Sequence, residues 1–178
     1  MQPRVDMALD PKEQLTGDEA LAKVRELLKS FQIAMMLTVS AEAVSARPLG
    51  VVGGADPFDG TLWFITDQRS GKVTAIESGA QTSLIFQNEK DGAFLHLTGR
   101  ASLVTDRARL AELYTPVQRT WFPDGLDDPD MTLIRFDADR GNYWDKHDSM
   151  LRLLGAFTKA ALTGDPGKSG NAGVANLP

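Results

Sequence analysis

The chain has 178 residues, 42% of them apolar and 24% charged, with a net charge of −5 and no cysteine. That length suits one domain with its own core, and the acidic balance argues against a general nucleic-acid binder, which needs a basic face. The lack of cysteine excludes disulfides, zinc thiolates and cysteine nucleophiles, and two histidines, His96 and His147, leave little for a histidine-rich metal site.

The opening MQPRVDMALDPKEQ has no apolar signal-peptide core, and no run approaches the ~20 apolar residues of a membrane span. The expectation is a cytoplasmic protein that enters no membrane. Residues 1–15 read as a loose polar arm. Then Ala20, Leu21, Val24, Leu27, Leu28 and Phe31 recur at three- and four-residue steps, with Lys23, Glu26 and Lys29 opposite, which predicts an amphipathic helix. Thr16 and Asp18 are candidate caps, and Glu19 has capping-box spacing from Thr16.

The period then shortens. IAMMLTVS (33–40) reads as a largely buried strand, AVSARPLGVVG (43–53) as a second, and the aromatic, β-branched TLWFITD (61–67) as a third. A short helix is predicted from about Ser70 to Ser78, closed by Gly79. QTSLIFQNEK and AFLHLTGRASLVTD flank Asp91-Gly92, a favoured two-residue hairpin turn. In the second arm Leu95, Leu97, Ala101 and Leu103 alternate with His96, Thr98, Arg100 and Ser102, and Gly99 predicts a bend or bulge.

DRARLAELYTPVQRTWF reads as mostly helical, FPDGLDDPD as a loop, and MTLIRFDADRGNYWD (131–145) as the last strand. A final helix is expected over about 149–162. From residue 164 a Gly/Ser/Asn/Pro tail has no evident means of packing. Six strands joined by hairpins and short links, without strict strand–helix alternation, predict an α+β, mainly β fold with a six-stranded antiparallel barrel and flanking helices.

Two stretches offer a phosphate site. TGDPGKSG (163–170) ends like a phosphate-binding loop, but Leu162 stands where its first glycine belongs, and the segment follows a helix rather than a strand. DQRSGKV (67–73) follows a strand and opens a helix, so Ser70, Lys72 and the first-turn N–H groups can converge on an anion, with Arg69 as a second positive charge. Its structural alternative is an ordinary serine cap beside a solvated lysine. In SARPLG (45–50), Pro48 marks an edge strand or a break that frees backbone groups near Arg47. Trp63, Phe64, Trp121, Phe122, Tyr143 and Trp144 fit core packing or a dimer contact as well as a cofactor wall.

In order, MMLTVS, ARPLG, LWFITDQRSGKV, SLIFQ, LHLTGRASLVTD, WFPDGLDDPDMTLIRF and YWD resemble the pyridoxamine 5′-phosphate oxidase-like split barrels that bind flavin mononucleotide (FMN), in particular the general stress protein branch. The resemblance implies a split-barrel domain over 16–163, with 164–178 left as a flexible tail. It also implies a homodimer with FMN between the subunits. Arg47, Pro48 and Leu49 would border the isoalloxazine or reach the phosphate. Trp63, Phe64, Ile65 and Thr66 would supply backbone and hydroxyl contacts, and Ser70 and Lys72 would bind the phosphate. Trp144 and Trp121 would close over the ring from the partner.

The additional basic residues that hold the substrate phosphate in the pyridoxamine oxidases proper have no counterpart here, so that activity is not expected. The implied functions are a flavin-dependent oxidoreductase, with a nicotinamide cofactor as electron donor, or a carrier or sensor that holds flavin without turnover. No catalytic side chain is demanded, because the flavin itself performs the transfer.

Overall fold

The computed structural model describes residues 13–41, 43–53, 58–145 and 171–177. In chain order the elements are β1 (Glu13–Thr16), α1 (Gly17–Leu28), β2 (Ile33–Val39), β3 (Val44–Gly50), β4 (Thr61–Asp67), α2 (Gly71–Glu77), β5 (Gln81–Asn88), β6 (Ala93–Val104), α3 (Arg107–Leu113), β7 (Met131–Asp145) and β8 (Asn171–Asn176). Short 3-10 turns occupy Pro116–Thr120 and Gly125–Asp127. The helix expected over 149–162 lies outside the described residues.

The sheet runs β1-β8-β7-β6-β5-β2-β3, and β4 pairs with β7 off that path. The expected six antiparallel strands therefore become eight in a mixed sheet, because β1 lies parallel to β8 at one end. The pairings among β2–β7 are all antiparallel. Just past the end of β3 an isolated bridge joins the chain to β4, where the Val52 N–H donates to the Trp63 carbonyl at 2.9 Å. The sheet curls without closing.

Residues 171–176 correct the expectation of an unpacked tail, and Glu13–Thr16 that of a wholly loose arm. The reason is steric. Gly173 lies so close over Tyr143 that a Cβ there would collide with the phenol oxygen, and Val174 and Ala175 are buried. Small residues fit where a typical strand residue would not.

α1 covers the open side of the sheet with Ala20, Val24, Leu27 and Leu28 buried against Phe31, Leu95, Leu97 and Tyr143. Thr16 takes the N-cap position, but its side chain makes no capping bond, and Gly17 (φ +58°) turns the chain into the helix. Arg25 donates to the Phe58 carbonyl at 2.7 Å, and Lys23 to Asp145 at 2.8 Å. The β5–β6 connection has four residues, not two: pairing ends at Asn88–Ala93, and Asn88 and Asp91 brace the loop with side-chain bonds. Gly99 does form the bulge, since a Cβ there would strike the Asp137 carbonyl.

Strand alternation gives β2 two apolar faces. Ala34, Met36 and Thr38 face inward and are buried, whereas Ile33, Met35, Leu37 and Val39 face outward. Cross-strand partners share a face, so Val44, Ala46 and Pro48 of β3 and Ile85 of β5 extend that outward surface. Ile33 is 60% exposed and Val44 67%. Arg47 and Leu49 point to the other face, opposite Met36 and Ala34.

Candidate functional site

β4 sorts its side chains by parity. Leu62 and Phe64 enter the main core, and Trp63 and Ile65 join a second cluster with Val52, Leu110, Leu113, Phe122, Met131 and Leu133. Thr66 shares the face of Leu62 and Phe64, is buried at 4% exposure, and stands at the strand's end. The chain then turns through Gln68–Ser70 into α2, and the Lys72 side chain folds back toward the strand. Its Nζ donates to Thr66 Oγ1 at 2.7 Å and to Ser70 Oγ at 2.9 Å. Ser70 occupies the N-cap position, but its hydroxyl makes no capping bond. The ordinary-cap reading therefore fails: the hydroxyl is bonded to Lys72.

The Lys72 ammonium is half-buried. Burial pushes its pKa below the usual lysine value; the nearby Arg47 guanidinium pushes the same way, and Asp67 opposes both. Two like charges, one from β3 and one from α2, thus lie within electrostatic range of each other. Among the described residues neither Arg47 nor Lys72 forms an ion pair. An anion placed between them would relieve this repulsion, and a phosphate has the charge and the acceptor oxygens to do so.

Arg69 does not join them, contrary to its expected place as the second cation. Its Nη2 is 3.0 Å from Asp67 Oδ2 and 3.0 Å from Asp130 Oδ2. The cation within electrostatic range of Lys72 is Arg47 of β3.

Pro48 sits on the edge strand β3, where a missing ladder donor costs little, and it faces outward beside Met35. Leu49 packs against the main core. The side chains of Phe64 and Ile65 are committed to packing, so apart from the Thr66 hydroxyl these positions of β4 can serve a ligand only through their backbone. Among the described residues, β7 pairs with one edge of β4 and the other edge carries an isolated bridge to Val52. The Trp63 ring lies 4.9 Å from the Arg109 guanidinium and 6.0 Å from that of Arg135.

Trp144 and Trp121 are not brought to this cluster. Trp144 stands at the opposite end of β7 from Thr132, the register partner of Thr66. It pairs with Phe94, and its indole Nε1 is buried without a hydrogen-bond partner. Trp121 is 70% exposed at the end of a 3-10 turn anchored by buried Gln118 and Phe122. Sequence reasoning missed the outward apolar face. Its signal was present in IAMMLTV, which is apolar at both parities where a half-solvated strand would alternate.

Among the described residues no helix is long and apolar enough to cross a membrane. No group of three or more His, Cys, Asp or Glu side chains among them is placed to hold a metal.

A mostly antiparallel sheet that curls without closing into a barrel is the architecture of a split-barrel protein. More narrowly, the chain belongs to the pyridoxamine 5′-phosphate oxidase-like family, whose model matches residues 19–167. It is 28% identical over 163 residues to Protein bli-3 of Neurospora crassa, covering 84% of this chain and 76% of that protein. A candidate general stress protein 26 from Jannaschia sp. CCS1 superposes with a TM-score of 0.73 at 22% identity, covering 89% of this chain and 99% of that one. The general stress FMN/FAD binding protein of Xanthomonas citri superposes with a TM-score of 0.62 at 26% identity, covering 72% of this chain and 90% of that one.

Proposed function

We propose that this protein binds FMN between two copies of itself and acts as a flavin-dependent oxidoreductase of the general stress protein type. The observation that carries this reading is the Lys72–Thr66–Ser70 cluster facing Arg47. The site supplies two cations and two hydroxyls to a terminal phosphate of about −2 charge. The open edge of β4 offers backbone groups to the polar rim of a planar ring. FMN, when bound, supplies hydride and electron transfer; the chain's own residues bind, orient and shield it.

The dimer follows from two features. The outward face of β2, β3 and β5 is apolar and exposed, the kind of surface that monomers rarely leave uncovered. Trp144 and the phosphate anchors lie at opposite ends of β7, so both reach one flavin only when they come from different subunits. Trp121, held out from a rigid turn, serves as the second wall.

The test is flavin titration of the purified protein by absorbance and fluorescence, followed by addition of reduced nicotinamide cofactor. FMN should bind at least roughly 100-fold tighter than riboflavin, because two charge-assisted contacts are lost with the phosphate. Equal affinity for the two would overturn the site. Catalytic bleaching and reoxidation over many turnovers supports the oxidoreductase; tight binding without bleaching assigns the protein to the carrier class instead.

A further inference from the structure

Arg69 lies in the phosphate turn yet faces away from the phosphate anchors. Its backbone N–H donates to Asp67 Oδ1 at 2.7 Å, its Nε to the same oxygen at 3.2 Å, and its Nη2 to Asp67 Oδ2 at 3.0 Å. The same Nη2 reaches Asp130 Oδ2 at 3.0 Å. Behind it, the Gln68 N–H donates to the Asp130 carbonyl at 2.8 Å, and the Gln68 side-chain amide to Asp130 Oδ1 at 3.3 Å. One guanidinium thus ties together two carboxylates from segments far apart in sequence.

Asp67 is also within electrostatic range of Lys72. Each favours the charged form of the other. A carboxylate close enough to support the Lys72 charge is close enough to repel a dianion bound there. The strongest influence on Asp67 is the Arg69 side-chain bond, which holds the carboxyl below its usual range as an ion and pairs its charge.

We propose that Arg69 is a positioning residue for the anion site: by pairing Asp67 and sharing its charge with Asp130 it offsets part of the negative charge beside the site, so that Lys72 and Arg47 act on the phosphate with less opposition. This rests on the flavin reading above and extends it. Arg69 touches no ligand; it works through Asp67.

The test compares FMN and riboflavin affinities, by quenching of flavin fluorescence, for the full-length wild type, Arg69→Gln, Asp67→Asn, the double variant and Lys72→Ala. Arg69→Gln should weaken FMN binding roughly fivefold and riboflavin binding less than about twofold, because only the phosphate feels the uncovered carboxylates. Asp67→Asn keeps an acceptor for the Arg69 N–H while removing the charge, so it should tighten FMN binding. In the double variant it should restore affinity to within about twofold of wild type.

A purely structural role for Arg69 predicts equal losses for both flavins and no restoration, and either result overturns the inference. Should Arg69→Gln fail to fold, Asp67→Asn decides alone, since weakened FMN binding there is the wrong sign. Lys72→Ala separates the two readings. If it abolishes the preference for FMN while Arg69→Gln does not alter it, the shielding fails and the phosphate site stands. If the wild type has no such preference, both fall.

Discussion

Met35→Asp tests whether the outward face is an interface. Met35 is 39% exposed on β2, between Pro48 of β3 and Ile85 of β5, itself 39% exposed. A carboxylate there stays hydrated in the monomer, so the fold should tolerate it. In a two-fold dimer the same carboxylate is taken from water on both copies at once. Taking about 2 kcal/mol for each partly desolvated, unpaired charge gives about 4 kcal/mol per dimer, or roughly a thousandfold weaker association. Sedimentation velocity over a concentration series, with and without FMN, reads this directly. On the proposed shared site, FMN affinity should fall together with dimer affinity, because Trp144 would come from the other copy. A variant that dimerises like wild type refutes the interface, and a monomer that binds FMN undiminished refutes the shared site. Met36, one residue on, is 1% exposed and faces the core, so Met36→Asp should instead unfold the chain.

Two further expectations follow from the same face and from the C-terminal strand. His96 shares the outward surface with Ile85 and Asn142, and burial pushes its pKa below the ordinary histidine value. Its neutral form is the one the fold favours, so this contribution is intact above about pH 6.5 and is lost as the pH falls below it. Stability to urea should therefore drop as the pH falls below about 6.5, and His96→Gln should flatten the drop; an unchanged slope in the variant rules His96 out. Gly173→Val would drive a side chain into the Tyr143 hydroxyl and should cost about 1–3 kcal/mol. Thermal unfolding should show a midpoint lower by several degrees, and an unchanged midpoint would mean that β8 does not rest on Tyr143.

β2–β7 were legible because their residues carry strong local signals: the β-branched and aromatic run of TLWFITD, the alternation after Ala93, the bulge glycine at 99. β1 and β8 were not. NAGVAN has little strand preference of its own; it is a strand because small residues alone fit beside Tyr143, a tertiary demand invisible along the chain. The site divides the same way. Lys72 and Ser70 could be read from their place after a strand, and Lys72 does gather the Thr66 and Ser70 hydroxyls. Arg47 comes within electrostatic range of Lys72 from β3, and Arg69 is drawn away by Asp130, a residue distant in sequence. Neither pairing leaves a trace in local spacing.

β1 has one sheet neighbour, β8, and β8 lies near the other end of the chain. On a ribosome, β1 would emerge and stay unpaired until β2–β7 and β8 had been made. The β1–β8 contact joins strands far apart in sequence, so its loop-closure cost is high and folding there is slow. The same arrangement makes proteolysis lopsided: a nick that frees residues 171–176 strips two strands rather than one, since β1 loses its partner in the same event.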